Sequence, residues 1–368
     1  MLCVILAYVP FALVTAVLVV PAGAQQPAWP QRQITVVAAG EPLPGEFSRI
    51  AGAALWPDGR VLVAEGSTGQ VTLFDAQGRV RWVRGRSGGG PGEYRWIQGM
   101  VRCANDLIGV YDTGLSRFTF LGLDSGQVVH TRVEEKATKA LLASCRNEKY
   151  VLAGVQSLQI TKPPAPGDRF TGLLALRAFE GPAEPLATGK TELLMTSTAF
   201  TDFPFGERAV LADGGSAVYL CQTGAGSCTV VNATDGTTRS FTLALPRAEV
   251  TAAQWKQSKD ARVSEMAGPP AAREQLARMV EEMPKPERFG AFETVRADAA
   301  GRLWVRTYRG YGESQATWLI VNQQGEPLAS AVLPAGADPL AIGIGELIAQ
   351  VRDADGAPQV QRYRFPPL

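Results

Sequence analysis

The stretch from Ala54 to Gly85, ALWPDGRVLVAEGSTGQVTLFDAQGRVRWVRG, decides the fold. It holds four short apolar, β-branched runs separated by turn chemistry: Asp58-Gly59, the loop around Ser67-Thr68-Gly69, and Ala76-Gln77-Gly78. Short β-prone runs punctuated in this way are hairpin signals, so the segment reads as four antiparallel strands, A to D, joined as a meander. One such sheet cannot bury its faces alone and needs neighbours of the same kind. The chain supplies them. MVRCANDLIGVYDTGLSRFTFLGLDSGQVVHTRV runs from Met100 to Val133, and a late copy runs from Thr294 to Pro334. Weaker copies begin near Leu141, Ala209 and Leu340. Turns between strands A and B at Gly59, Asn105, Asn147, Gly214, Gly301 and Gly345 mark six units. The expectation is an all-β chain, a six-bladed β-propeller.

The last copy, from Leu340 to Phe365, provides only three strands before the chain ends. Gln33 to Val37 is the natural fourth, and its pairing with Gln359 to Phe365 would close the last blade and hide two open edges. Between blades four and five the rhythm breaks over residues 248–283. Leu276, Met279, Val280 and Met283 fall on one helical stripe, with Pro269-Pro270 to start a helix and Pro284 and Pro286 to stop it. A short helical insertion is expected there.

Composition fits one folded, turn-rich domain over residues 25–368. Hydrophobic residues make up 46% and charged residues 19%, with 39 Gly and 25 Pro. Thirty-six basic and 35 acidic side chains leave a net charge of +1, so no global field draws in nucleic acid. Residues 1–24 carry no charge and end in Pro21-Ala22-Gly23-Ala24, which reads as a signal peptide and predicts a periplasmic or secreted protein. Association with a membrane is expected only if that segment stays uncleaved. An oxidising compartment permits disulfides, and Cys221 with Cys228 and Cys103 with Cys145 are the candidate pairs.

The residues VYDTGLSRFTF resemble the NHL-type repeat through Asp112, Gly114 and Arg117. GRSGGGPGEYR, Gly85 to Arg95, is similar to a segment of the bacterial exported "6-bladed β-propeller" family, as is GRLWVRTY from Gly301. That resemblance implies a propeller fold and an envelope location. It implies no catalytic residue.

In a meander the DA and BC connections share one face. The Gly-rich segment, a Pro-rich loop at Lys162 to Gly167 and the helical insertion all fall on that face, whereas the AB and CD turns are short. Localised function is expected there. The candidate ligand-binding residues are Glu65, Arg86, Glu93, Tyr94, Arg95, Asp112, Arg117, Arg306, Tyr308 and Arg309. No catalytic set emerges: His130 is the only histidine and lies late in a D strand, and no metal site is expected. Glu65 and Asp112 both end B strands and are the only carboxylates placed to hold calcium or another divalent cation, which wants six to eight oxygens. Three readings stay open: a binding module for a small molecule, glycan or protein, a divalent-cation-dependent propeller hydrolase or lyase of the lactonase kind, and a structural envelope protein with no small ligand.

Overall fold

The computed structural model describes residues 32–103, 106–133, 139–145, 151–160, 162–178, 184–197, 200–264, 270–308, 315–334 and 336–368. The segment 1–24, Asn105, Asn147 and Arg309 therefore lie outside the described residues.

Two short strands open the chain, β1 (Gln33–Thr35) and β2 (Val37–Ala38). Sheet 1 follows with β3 (Ile50–Leu55), β4 (Val61–Glu65), β5 (Gln70–Phe74) and β6 (Val80–Arg84). Sheet 2 contains β7 (Ile97–Arg102), β8 (Leu107–Asp112), β9 (Arg117–Gly122) and β10 (Val128–Val133). Sheet 3 has five strands, β11 (Lys139–Cys145), β12 (Val151–Gln159), β13 (Arg169–Ala178), β14 (Ala187–Met195) and β15 (Phe200–Asp202). Sheet 4 comprises β16 (Ala209–Asp213), β17 (Ala217–Gln222), β18 (Ser227–Asn232) and β19 (Thr238–Thr242). Helices α1 (Ala252–Ser264) and α2 (Pro270–Glu282) precede sheet 5, built from β20 (Thr294–Ala297), β21 (Leu303–Arg306), β22 (Ala316–Val321) and β23 (Pro327–Leu333). Sheet 6 contains β24 (Asp338–Ile342), β25 (Glu346–Arg352) and β26 (Pro358–Arg364).

The first strands meet in a closed cycle: β3 touches β7, β7 touches β11, and so on through β16, β20 and β24 back to β3. That ring is a β-propeller. Sheets 1 and 2 each lie between two others, so their second strands are buried on both faces and read as near-continuous apolar runs instead of alternating ones. All five residues of β4 and all six of β8 are buried. Apolar clusters fill the junctions. Leu62, Leu73, Ile97 and Val110 join sheets 1 and 2, while Leu55, Val63, Ile348 and Val360 join sheets 6 and 1. A ring with apolar matter in its closing junction has no free end sheet.

The N-terminal segment does more than the sequence suggests. Val37 and Ala38 pair antiparallel with Arg364 and Tyr363 and close sheet 6, but Gln33 to Thr35 run parallel to Ser330 to Val332 on the outer edge of sheet 5. Ile34 and Val36 explain the split. Both are buried in the cluster between sheets 5 and 6, with Trp304, Trp318 and Tyr363, so the segment follows the apolar seam and spans two sheets. Sheet 3 carries one strand more than sheets 1, 2 and 4: β14 pairs with β13, and the short β15 adds to the far side of β14.

Both disulfides are present. Cys103–Cys145 ties sheet 2 to sheet 3, with Cα atoms 4.7 Å apart, and Cys221–Cys228 bridges facing residues of β17 and β18. The striped residues of α2 and Met283 just beyond it pack with Trp255 of α1 onto Leu194 of β14 and onto Phe203 and Phe289, seating the helices against sheet 3 and the connections that lead into sheets 4 and 5.

Candidate functional site

The DA and BC connections meet on one face because the first strand of every sheet leaves it and the second returns to it. Each junction poses the same problem. The residues leading into a first strand, and those after the second, carry backbone N–H groups with no ladder partner. In sheet 1 Glu65, the last residue of β4, solves it. Its Oε1 accepts from the backbone of Arg49 at 2.6 Å and Ser48 at 3.2 Å and from Ser67 Oγ at 2.6 Å. Its Oε2 accepts from Thr68 N at 2.7 Å and Thr68 Oγ1 at 2.9 Å. Burial would raise its pKa, but the hydroxyl of Ser67, the amides of Thr68 and Arg49 and the hydroxyl of Thr68 outweigh that and hold it at about 2.

Sheet 2 repeats the device. Asp112, fully buried at the end of β8, accepts from the backbone of Arg95 at 2.6 Å, Trp96 at 3.1 Å and Leu115 at 3.0 Å. Two carboxylates one repeat apart thus clamp equivalent backbone groups. Their oxygens are spent on amides and hydroxyls, and no group of three or more His, Cys, Asp or Glu among the described residues is placed to hold a metal ion.

The Gly-rich connection from sheet 1 to sheet 2 is held from within. Arg117, buried at the start of β9, donates to the carbonyls of Gly89 at 3.2 Å, Gly90 at 3.1 Å and Glu93. Glu93 closes the loop by accepting from Gly90 N at 2.8 Å and pairs with Arg86 at 2.6 Å. Those contacts, Gly90 first and then Arg86, hold its carboxyl below the usual range. The carbonyls face a cation, so the loop offers Arg117 the opposite of an anion-binding nest. Gly85, at φ +87°, turns the chain into this loop, and a Cβ there would run into the carbonyl of Gly69. Tyr94 is buried beneath it, and that burial pushes its hydroxyl up to about 12.

Six candidates therefore come together at one junction: Arg86, Glu93, Tyr94, Arg95, Asp112 and Arg117. Only two project outward. Arg86 is exposed but paired, and Arg95 is exposed with no side-chain partner among the described residues. Glu65 belongs to the neighbouring junction. Arg306 ends β21 in sheet 5, where it faces Glu293 at 3.1 Å and Asp338 at 3.8 Å. Tyr308 lies in an aromatic cluster under the helices, 5.8 Å from Phe205 and 5.5 Å from Phe289 between ring centroids.

Sequence reasoning missed Arg49 and Trp96. The Arg49 guanidinium lies 4.0 Å over the Trp96 ring and donates to Ile97 O at 3.0 Å, and burial lowers its pKa against the pull of Glu65. Gly66 lies beneath it, and a Cβ there would push the guanidinium aside. Trp96 nevertheless stays 49% exposed. Both residues sit directly before a first strand, and that shared position is the signal that could have found them.

No family model matches the chain, and no curated protein does. The chain is similar in structure to an exported-class protein of Bacteroides fragilis, at 8% identity over 91% of this chain and 99% of that one, with a TM-score of 0.49. It is similar to the WD40 repeats of RRP9 at 11% identity over 90% and 100%, with a TM-score of 0.48. A streptogramin B lyase matches at 11% identity over 90% and 98%, with a TM-score of 0.44. Likeness this distant carries nothing about activity.

Proposed function

We propose that residues 25–368 form a single six-bladed β-propeller domain, exported to the periplasm or beyond, that acts as a binding module through its DA and BC face. The observation that carries this reading is the use to which the charged residues of that face are put. Glu65, Asp112, Glu93 and Arg117 are spent on loop backbone, and a carboxylate that accepts several amides is a poor general base and a poor metal ligand. Arg95 and Trp96 are left to meet a small molecule, glycan or protein, a cation and a half-exposed indole of the kind that anchors interfaces. The six sheets in their closed ring support the blade count, and the two disulfides support an oxidising, extracytoplasmic compartment.

The test places a photo-crosslinking residue at position 96, and in a second variant at Ile344, an exposed residue of an AB turn on the opposite face. In producing cells, adducts are expected from position 96 and not from 344. A stoichiometric divalent cation in the purified protein, lost from Glu65→Ala and Asp112→Ala variants that remain folded, would overturn the reading in favour of a metal-dependent enzyme.

A further inference from the structure

The segment that follows β2 stays fastened along β26 before it reaches sheet 1. Ala39 N donates to Arg362 O at 2.9 Å and Leu43 N to Val360 O at 2.8 Å, and Gln361 Nε2 donates to Gly40 O at 3.1 Å. Leu43 is buried in the apolar junction between sheets 6 and 1, with Val61, Phe74 and Val360. Between this strap, β26 and the Ala76-Gln77-Gly78 turn lies a cleft of about 420 Å³, within the size range of small-ligand sites. It sits beside the AB and CD turns of sheet 1, at the other end of the sheets from Trp96.

The charges of the cleft are of two kinds. Arg362 is buried and spent: it donates to Glu346 Oε2 at 3.0 Å and to Gly59 O at 2.8 Å, which neutralises it and fixes it in place. Arg364 and Glu41 also line the cleft, both are exposed, and neither side chain pairs with the other or with any described residue. Opposite charges that share a cleft and leave each other unpaired suit a ligand that carries both. Pro42 and Leu43 add an apolar wall, and a Cβ on Gly40 would meet no atom within 4 Å, so there is room beside it. Pro42 and Pro44 stiffen the strap, which lowers the entropy lost when a ligand is held.

We propose that this cleft binds a zwitterion with an apolar body, a free amino acid or a dipeptide. Its carboxylate would meet Arg364, its ammonium Glu41, and its side chain Leu43 and Pro42. A simple anion would be repelled by Glu41 and a simple cation by Arg364. The site is independent of binding at the DA and BC face, and either can fail without the other.

Isothermal titration of the purified protein with L-leucine and with L-leucyl-L-leucine is expected to give a dissociation constant of roughly 0.1–1 mM for at least one of them. Arg364→Ala should weaken the tighter probe about tenfold and Glu41→Gln about fivefold, with Tm unmoved because both positions are exposed. Blocked probes assign the ends. The N-acetyl form should bind more weakly than its parent and be indifferent to Glu41→Gln, and the C-terminal amide should be indifferent to Arg364→Ala. Absence of binding by both probes up to roughly 10 mM, binding that survives both substitutions, or an N-acetyl form that binds as tightly as its parent overturns the proposal.

Discussion

Sheets 1 and 2 end their second strands in an acid, whereas sheet 5 ends its own in Arg306. The junctions are equivalent, and the chemistry is inverted. Glu65 and Asp112 accept directly from backbone N–H groups of the lead-in and of the following loop, so each needs no charged partner. A guanidinium cannot accept, and Arg306 instead faces acids brought by other segments, Glu293 and Asp338. Sheet 4 takes a third route: the acid moves to the lead-in, and Glu207 accepts from Gly224 at 2.7 Å and Ala225 at 2.9 Å. The junction demands satisfied backbone donors, and several placements of charge meet that demand. A buried acceptor that serves several amides should stabilise far more than an ion pair at a half-exposed site.

The comparison breaks first at Glu65. Glu65→Ala strands three backbone N–H groups and two hydroxyls, and a loss of about 4 kcal/mol is expected in urea unfolding, with about 3 kcal/mol for Asp112→Ala. A change below about 1 kcal/mol at both would show that the clamps are incidental. The second test uses pH. With its folded pKa near 2 and an unfolded value near 4.3, Glu65 contributes stability that is fully present above about pH 5 and lost as pH falls toward 2. That contribution is roughly 3 kcal/mol, and Glu65→Gln should flatten this part of the stability profile. Third, Glu207→Gln keeps one acceptor oxygen and gives up the charge, so about 1–2 kcal/mol should be lost. Smallest is Arg306→Ala, at roughly 0.5–1 kcal/mol, because its partners are part-exposed and distant. An Arg306→Ala loss as large as that of Asp112→Ala would erase the distinction between the two kinds of junction.

Much of the fold was readable because propeller strands announce themselves through turns. The Asp-x-x-Gly-Arg turn at Asp75 recurs at Asp298, and in each the aspartate accepts from the arginine backbone at 2.9 Å and from its Nε at 2.8 and 2.7 Å. Such contacts span four residues, which a sequence displays. The α2 stripe was legible for the same reason. The split of the N-terminal segment between two sheets was not, because nothing in Gln33 to Val37 encodes that its edge partner is Ser330. The candidate residues were found by their place at strand ends. Their use was not, since the partners of Arg117 lie 24 to 28 residues away and those of Asp112 up to 17.

By itself the sequence determined the repeat, the turns, the helical insertion and which face carries the long connections, because each depends on contacts between near neighbours in the chain. Only the tertiary structure decided that Glu65 and Asp112 are backbone clamps, that Arg117 fills the Gly-rich loop and that Trp96 stays open beside Arg49. These depend on which loops a closed ring brings within hydrogen-bond reach, and ring closure is a property of all the sheets together.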